Sequence, residues 1–253
     1  MRTLSDIVYN DHQQHLNVHL PDGEPKAVFI YFHGGGLESG AKDPSAPYVP
    51  YLTNHNIALV DIDYRLYPNT KFPEFIEDAA DAVAWALSHK AEFAGEVPVF
   101  AGGTSAGGYI SMMLCFNEQY LGKYGIRPTD LAGFVHDAGQ PTSHFNVLRE
   151  RGLDTRRLIV DETGPLYYIG AHGNNCTNMI FLVSDGDMEN RYEQTMLVLS
   201  TLRHFRYDPT KIQYTVMHGS HCQYVFENDE NGDSIFGRII AQFIYGVLGK
   251  QNT

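Results

Sequence analysis

Short apolar blocks recur along the chain, with stretches of helical periodicity between them. Residues 16–20 (LNVHL) alternate with period two and run into Pro21-Asp22-Gly23, which predicts a strand closed by a turn. Residues 27–32 (AVFIYF) and 57–62 (IALVDI) are almost wholly apolar, as strands covered on both faces are. Between residues 74 and 89, Ile76, Ala79, Ala80, Val83 and Leu87 fall on one face while Glu77, Asp78 and Asp81 fall elsewhere, so the spacing predicts a helix. The alternation continues with a strand at 97–101, a helix from Gly108, strands at 132–136 and 179–183, a helix at 189–205, a strand at 212–217 and a helix at 233–248. Strands alternating with helices imply an α/β fold with a mostly parallel central sheet and helices on both faces. One interval, about 140–178, offers no core strand. No repeat, linker or low-complexity tract interrupts the chain, so residues 1–253 are read as one domain.

Composition narrows the class. The formal net charge of −12 argues against nucleic acid or an anionic membrane surface as a partner. The apolar stretches are of strand length, far short of a membrane span, and Met1 to Asp6 contain no apolar segment of the signal-peptide kind. Cys115, Cys176 and Cys222 are odd in number and form no C-x-x-C pair, so a reduced, cytoplasmic protein is expected. His12, His15 and His19 have tempting metal-ligand spacing but no evident carboxylate partner, and are read as surface histidines. Glu227 to Asp233 imitates part of a calcium loop. It begins with Glu where Asp is required and has Arg238 where the bidentate Glu should stand, so it is rejected. No metal or organic cofactor is expected.

The chemistry-bearing residues cluster around two glycine motifs. Gly103-Thr104-Ser105-Ala106-Gly107 is a G-x-S-x-G sequence between a predicted strand and a predicted helix, the setting of a nucleophile elbow. Gly103 and Gly107 leave room for the sharp turn, and Ser105 is exposed at its tip. His33-Gly34-Gly35-Gly36 directly follows the strand at 27–32. Glycines there let backbone amides approach a ligand. Those of Gly35 and Gly36, with the amide of Ala106, would form an oxyanion hole, and His33 is expected to order the loop. Every candidate falls just after a strand, where ligands of open α/β sheets sit.

These motifs, in this order, resemble those of the α/β-hydrolase superfamily, and most closely the bacterial hormone-sensitive-lipase-like esterases. Asp63-Tyr64-Arg65, Lys71-Phe72-Pro73, Asp78 and Trp85-Ala86-Leu87 extend the resemblance, which runs from about residue 27 to the C-terminus. It implies an α/β-hydrolase fold in which residues 140–178 form a small cap insertion. The N-terminal cap usual in the family must be small or absent, since HGGG begins at residue 33. The family's order of Ser, acid, His points to Asp187, the fourth residue of Ser184-Asp185-Gly186-Asp187, with Asp185 and Asp137 as alternatives. The bland reading of Asp185 is a turn or helix-capping residue. The histidine would be His221 of Met217-His218-Gly219-Ser220-His221, rather than His218.

The expected activity is that of a serine carboxylesterase acting on small soluble esters with short or compact acyl groups, through an acyl-enzyme. Phe145, Tyr167 and Tyr168 are expected as pocket walls. Arginines of residues 149–157 are weighed as ligands for a substrate carboxylate, a solvated face being the stronger expectation. Two other readings stand beside this one: a peptidase of the prolyl-oligopeptidase class, and a small-molecule-binding protein on a hydrolase fold. The oligomeric state is open, a dimer being one option.

Overall fold

The computed structural model describes residues 1–251. Among these residues, eight strands form one sheet in the order β1-β2-β4-β3-β5-β6-β7-β8. The strands are β1 (Arg2–Val8), β2 (His15–Leu20), β3 (Ala27–Phe32), β4 (Ile57–Ile62), β5 (Val99–Thr104), β6 (Gly133–Asp137), β7 (Asn178–Gly186) and β8 (Ile212–Ser220). β1 and β2 are antiparallel to their neighbours, and all later pairings are parallel. The helices are α1 (Tyr48–Asn54), α2 (Glu74–Phe93), α3 (Ala106–Phe116), α4 (Glu118–Gly122), α5 (Phe145–Glu150), α6 (Arg191–His204) and α7 (Ile235–Gln251). This is the α/β-hydrolase fold.

Strand alternation splits the core in two. Val28, Ile30 and Phe32 of β3 face the layer formed by α2, α3, α4 and α6. Ala27, Phe29 and Tyr31 face the layer formed by α1 and α7. Every residue of β3, β4, β5 and β6 is buried, which is why these strands read as unbroken apolar runs rather than alternating ones.

Three elements outside the 140–178 interval carry no expectation from the sequence: β1, α1 and α4. β1 is a half-exposed edge strand whose pairing with β2 slips between Leu4 and Ile7. α1 follows Pro47 and contains Pro50, so its composition argues for a loop. β1 also overturns the reading of His19 as a surface residue. β2 lies between β1 and β4, so His19 is fully buried, and its Nδ1 lies 3.0 Å from the Thr3 hydroxyl.

The interval between β6 and β7 contains α5 and a short 3-10 turn at Pro165–Tyr168. Three of its four arginines are paired within the protein: Arg149 with Glu38, Arg151 with Asp161 and Arg156 with Asp154. In the rejected calcium loop, Arg238 pairs with Asp229.

Candidate active site

The carboxyl ends of β3, β5, β7 and β8 bring the sequence candidates together. β5 ends at Thr104 and α3 begins at Ala106, so Ser105 alone makes the turn. It does so at φ 57° and ψ −111°, a conformation that costs a non-glycine residue about 1–3 kcal/mol. The surroundings enforce it. The Ser105 amide donates to the Asp137 carbonyl at 2.8 Å, and the Ser105 carbonyl accepts from the Tyr109 amide at 3.0 Å. β3 crosses so close that a Cβ on Gly107 would sit 1.9 Å from the Phe32 carbonyl oxygen, and one on Gly103 would sit 2.4 Å from it.

A chain of hydrogen bonds starts at the Ser105 hydroxyl. Ser105 Oγ lies 2.9 Å from His221 Nε2, and His221 Nδ1 lies 2.5 Å from Asp187 Oδ1. With a carboxylate at Nδ1, the ring carries its proton there. Its Nε2 lone pair is then free to accept from the serine. Asp187 also receives the amides of Met188 at 2.7 Å and Ser184 at 3.2 Å. Burial pushes its carboxyl up, but the bond and charge of His221 and the two amides outweigh burial and hold it below its usual range.

The two alternative acids lie elsewhere. Asp185 is exposed and accepts from His218 Nδ1 at 2.8 Å and from the Gly219 amide at 3.0 Å. Asp137 is buried and accepts from the hydroxyls of Thr104 and Tyr224, with no bond to His221.

Beside Ser105 stands the glycine loop. Gly35 has φ 113° and Gly36 φ 65°, and a Cβ on Gly35 would fall 2.0 Å from the Ser39 carbonyl oxygen. Among the described residues, no acceptor receives the amides of Gly35, Gly36 or Ala106. Three donors beside a nucleophilic oxygen can hold a developing oxyanion. His33 braces this loop. Its Nδ1 donates to the Gly34 carbonyl at 2.6 Å, and its ring stacks on Tyr64 at 4.2 Å. The Tyr64 hydroxyl donates to the His33 carbonyl at 2.8 Å. Burial lowers the His33 pKa, which keeps the ring neutral and fits it for bracing rather than for proton transfer.

The hydroxyl and the glycines open into a cleft of about 480 Å³ lined by Tyr31, Tyr48, Phe145, Met188, Cys222 and Phe226, among others. Phe145 is there as expected. Tyr167 and Tyr168 are not: Tyr167 is exposed, and Tyr168 faces a separate crevice beside Cys115 and Cys176. The 3-10 turn that carries them packs against α3. No arginine lines the cleft, so the weighed carboxylate-binding role is not supported. Cys222 Sγ lies 3.5 Å from His221 Nε2, and burial pushes its thiol far up, out of the thiolate range.

Tyr31, Tyr48, Met188 and Phe226 were not foreseen as walls. Tyr31 sits in an apolar run that says only "buried strand", and Tyr48 and Phe226 lie in segments without periodicity. Tyr64 stood in plain view within Asp63-Tyr64-Arg65. Its neighbour Arg65 forms a forked pair with buried Asp78 of α2, at 2.8 and 2.9 Å. This stretch therefore ties the loop after β4 to α2.

Residues 29–150 match the model of a family with the α/β-hydrolase fold. Carboxylic ester hydrolase LipN of Mycobacterium tuberculosis is 33% identical over 110 residues, which make up 42% of this chain and 29% of LipN. Human hormone-sensitive lipase is 31% identical over 134 residues, 50% of this chain and 12% of the lipase. The chain thus spans less than a third of the length of either relative. The butyrate-bound esterase Est2 of Thermogutta terrifontis superposes with a TM-score of 0.74 at 18% identity, covering 98% of this chain and 94% of that one.

Proposed function

We propose that this chain, an α/β-hydrolase by fold, is a serine carboxylesterase that cleaves esters with short or compact acyl groups. The observation that carries the reading is the unbroken path from the Ser105 hydroxyl through His221 to Asp187, beside three amides without an acceptor. His221 Nε2 takes the proton from Ser105 as its oxygen attacks the ester carbonyl. Asp187 holds the ring in the required tautomer and stabilises the imidazolium that forms. The amides of Gly35, Gly36 and Ala106 receive the oxyanion of the tetrahedral intermediate. The imidazolium returns its proton to the departing alcohol, leaving an acyl group on Ser105. Water, activated by the same histidine, then releases the acid.

The cleft supports the reading of substrate size. Phe145, Tyr48, Met188 and Phe226 wall a space of about 480 Å³, near the small end of ligand pockets. Among the described residues, no helix is long and apolar enough to cross a membrane. On the volume of the cleft, we take the partner to be a small ester.

A fluorophosphonate probe followed by peptide mass mapping tests the reading, with hydrolysis of p-nitrophenyl acetate and butyrate measured alongside. Ser105 should carry the phosphonyl group, and Ser105→Ala should lose both labelling and turnover. A wild-type protein that neither labels nor hydrolyses would leave the binding-protein alternative in its place.

A further inference from the structure

β6 supplies no member of the Ser105–His221–Asp187 path, yet its carboxyl end touches all three segments that do. The Asp137 carbonyl accepts the Ser105 amide at 2.8 Å. Its carboxylate receives the Thr104 hydroxyl on Oδ2 at 2.8 Å, so the elbow is held at Ser105 and at the residue before it. The other oxygen, Oδ1, receives the Tyr224 hydroxyl, three residues beyond His221. One residue on, the Ala138 carbonyl accepts from Arg191, which opens α6 four residues after Asp187. The Ala138 amide donates to Leu182 of β7 at 2.8 Å. Both Asp137 and Tyr224 are almost fully buried, so water does not compete for these bonds.

We infer that Asp137 is a positioning residue: its two carboxylate oxygens tie the serine elbow to the histidine loop and so set the Ser105–His221 distance. The inference rests on the esterase reading above. Its physical basis is that a buried carboxylate has two separate acceptor sites, and here each is taken by a different loop. His221 lies on a loop with Cys222 in the left-handed region, at φ 55°. Besides the His221–Ser105 bond itself, the Tyr224–Asp137–Thr104 bridge ties this loop to the elbow. A shift of about 1 Å in the imidazole is enough to cost on the order of a hundredfold in rate.

The test uses Tyr224→Phe and Thr104→Val, which each remove one hydroxyl and keep the bulk, together with Asp137→Asn. Both single variants should lower kcat roughly ten- to a hundredfold, with KM within about threefold of wild type. Fluorophosphonate labelling of Ser105 should slow in parallel. In a double-mutant cycle the two losses should be less than additive, because either change cuts the same bridge. If Asp137→Asn folds poorly, the two hydroxyl variants still decide the matter. Normal kcat in both, a loss confined to KM, or fully additive losses would overturn the positioning role. A wild-type protein whose Ser105 labels and turns over, with Tyr224→Phe unchanged, would sink the bridge alone. A wild type that neither labels nor hydrolyses would remove the esterase reading itself.

Discussion

Ser105 is held in a strained conformation by three neighbours: the Asp137 carbonyl, the Tyr109 amide, and β3 pressed against Gly103 and Gly107. None of those restraints depends on the serine hydroxyl. Ser105→Ala should therefore fold normally by circular dichroism while ester turnover drops by roughly four to six orders of magnitude. The aspartate pair allows a sharper test. Asp187 is buried and bonded to His221, whereas Asp185 is exposed and bonded to His218. Asp187→Asn should cost on the order of a thousandfold in kcat, because the imidazole loses its orienting acceptor. Asp185→Asn should stay within about threefold. The reverse result in steady-state kinetics would transfer the acid's role to Asp185. At this scale the serine and the glycines were legible because backbone geometry restricts which residues can stand there. The acid was legible only through the family resemblance, which pointed to Asp187; spacing alone leaves it open, since each aspartate has a histidine at nearly the same separation. The pairing of β7 with β8 shifts between Ser184 and Gly186, and that irregularity separates the two pairs. It leaves no mark in the sequence.

The buried strands and the long helices could be read from periodicity, because two-sided burial leaves unbroken apolar runs and one-sided burial leaves a stripe. β1 and α1 escaped: one is a half-exposed edge strand, the other a short helix that follows one proline and contains another. The segment after β6 was legible as an interval without a strand, but not in its detail. α5 reaches the site from it, with Phe145 packing toward Gly36 and Asn146 Nδ2 donating to the Gly36 carbonyl at 2.9 Å. The 3-10 turn that holds Tyr167 and Tyr168 turns away. α5 thus both walls the cleft and braces the glycine loop. Across p-nitrophenyl esters of rising length, kcat/KM should peak between acetyl and butyryl and fall by octanoyl. Phe145→Ala removes a wall. If it lets two further methylenes be buried, at about 0.8 kcal/mol each, the octanoyl-to-butyryl ratio should rise roughly tenfold. A wild-type optimum at long chains, or an unchanged ratio in the variant, would mean that Phe145 does not limit the acyl group.

Over the whole molecule, buried ionisable groups outside the hydrogen-bonded path from Ser105 to Asp187 shape the pH range in which the fold is stable. Asp61 is fully buried in β4. Its Oδ2 accepts the Asp43 amide at 2.7 Å, while Oδ1 has no partner. Burial pushes its carboxyl up to about 8, and burial likewise pushes Asp137 up to about 7 despite its two hydroxyl donors. In an unfolded chain both would lose their protons near pH 4. A raised acid favours the folded state in its protonated form, so its contribution is complete below about pH 4 and is lost as pH rises through 7 and 8. Buried histidines act in the opposite direction. Burial lowers His136 to about 3 and also lowers His19, His33 and His144. Their contribution is complete above the unfolded value of about 6.5 and is lost as pH falls below it. Stability should therefore peak between these flanks, in mildly acidic to neutral solution, and decline on both sides. Asp61→Asn isolates the alkaline flank, because the amide oxygen can still accept from Asp43 while the titrating proton is gone. Melting followed by calorimetry should show wild type losing more between pH 6.5 and 8.5 than the variant does, by roughly 2–4 °C in Tm. Parallel curves for the two proteins would show that Asp61 is ionised in the folded state throughout that range.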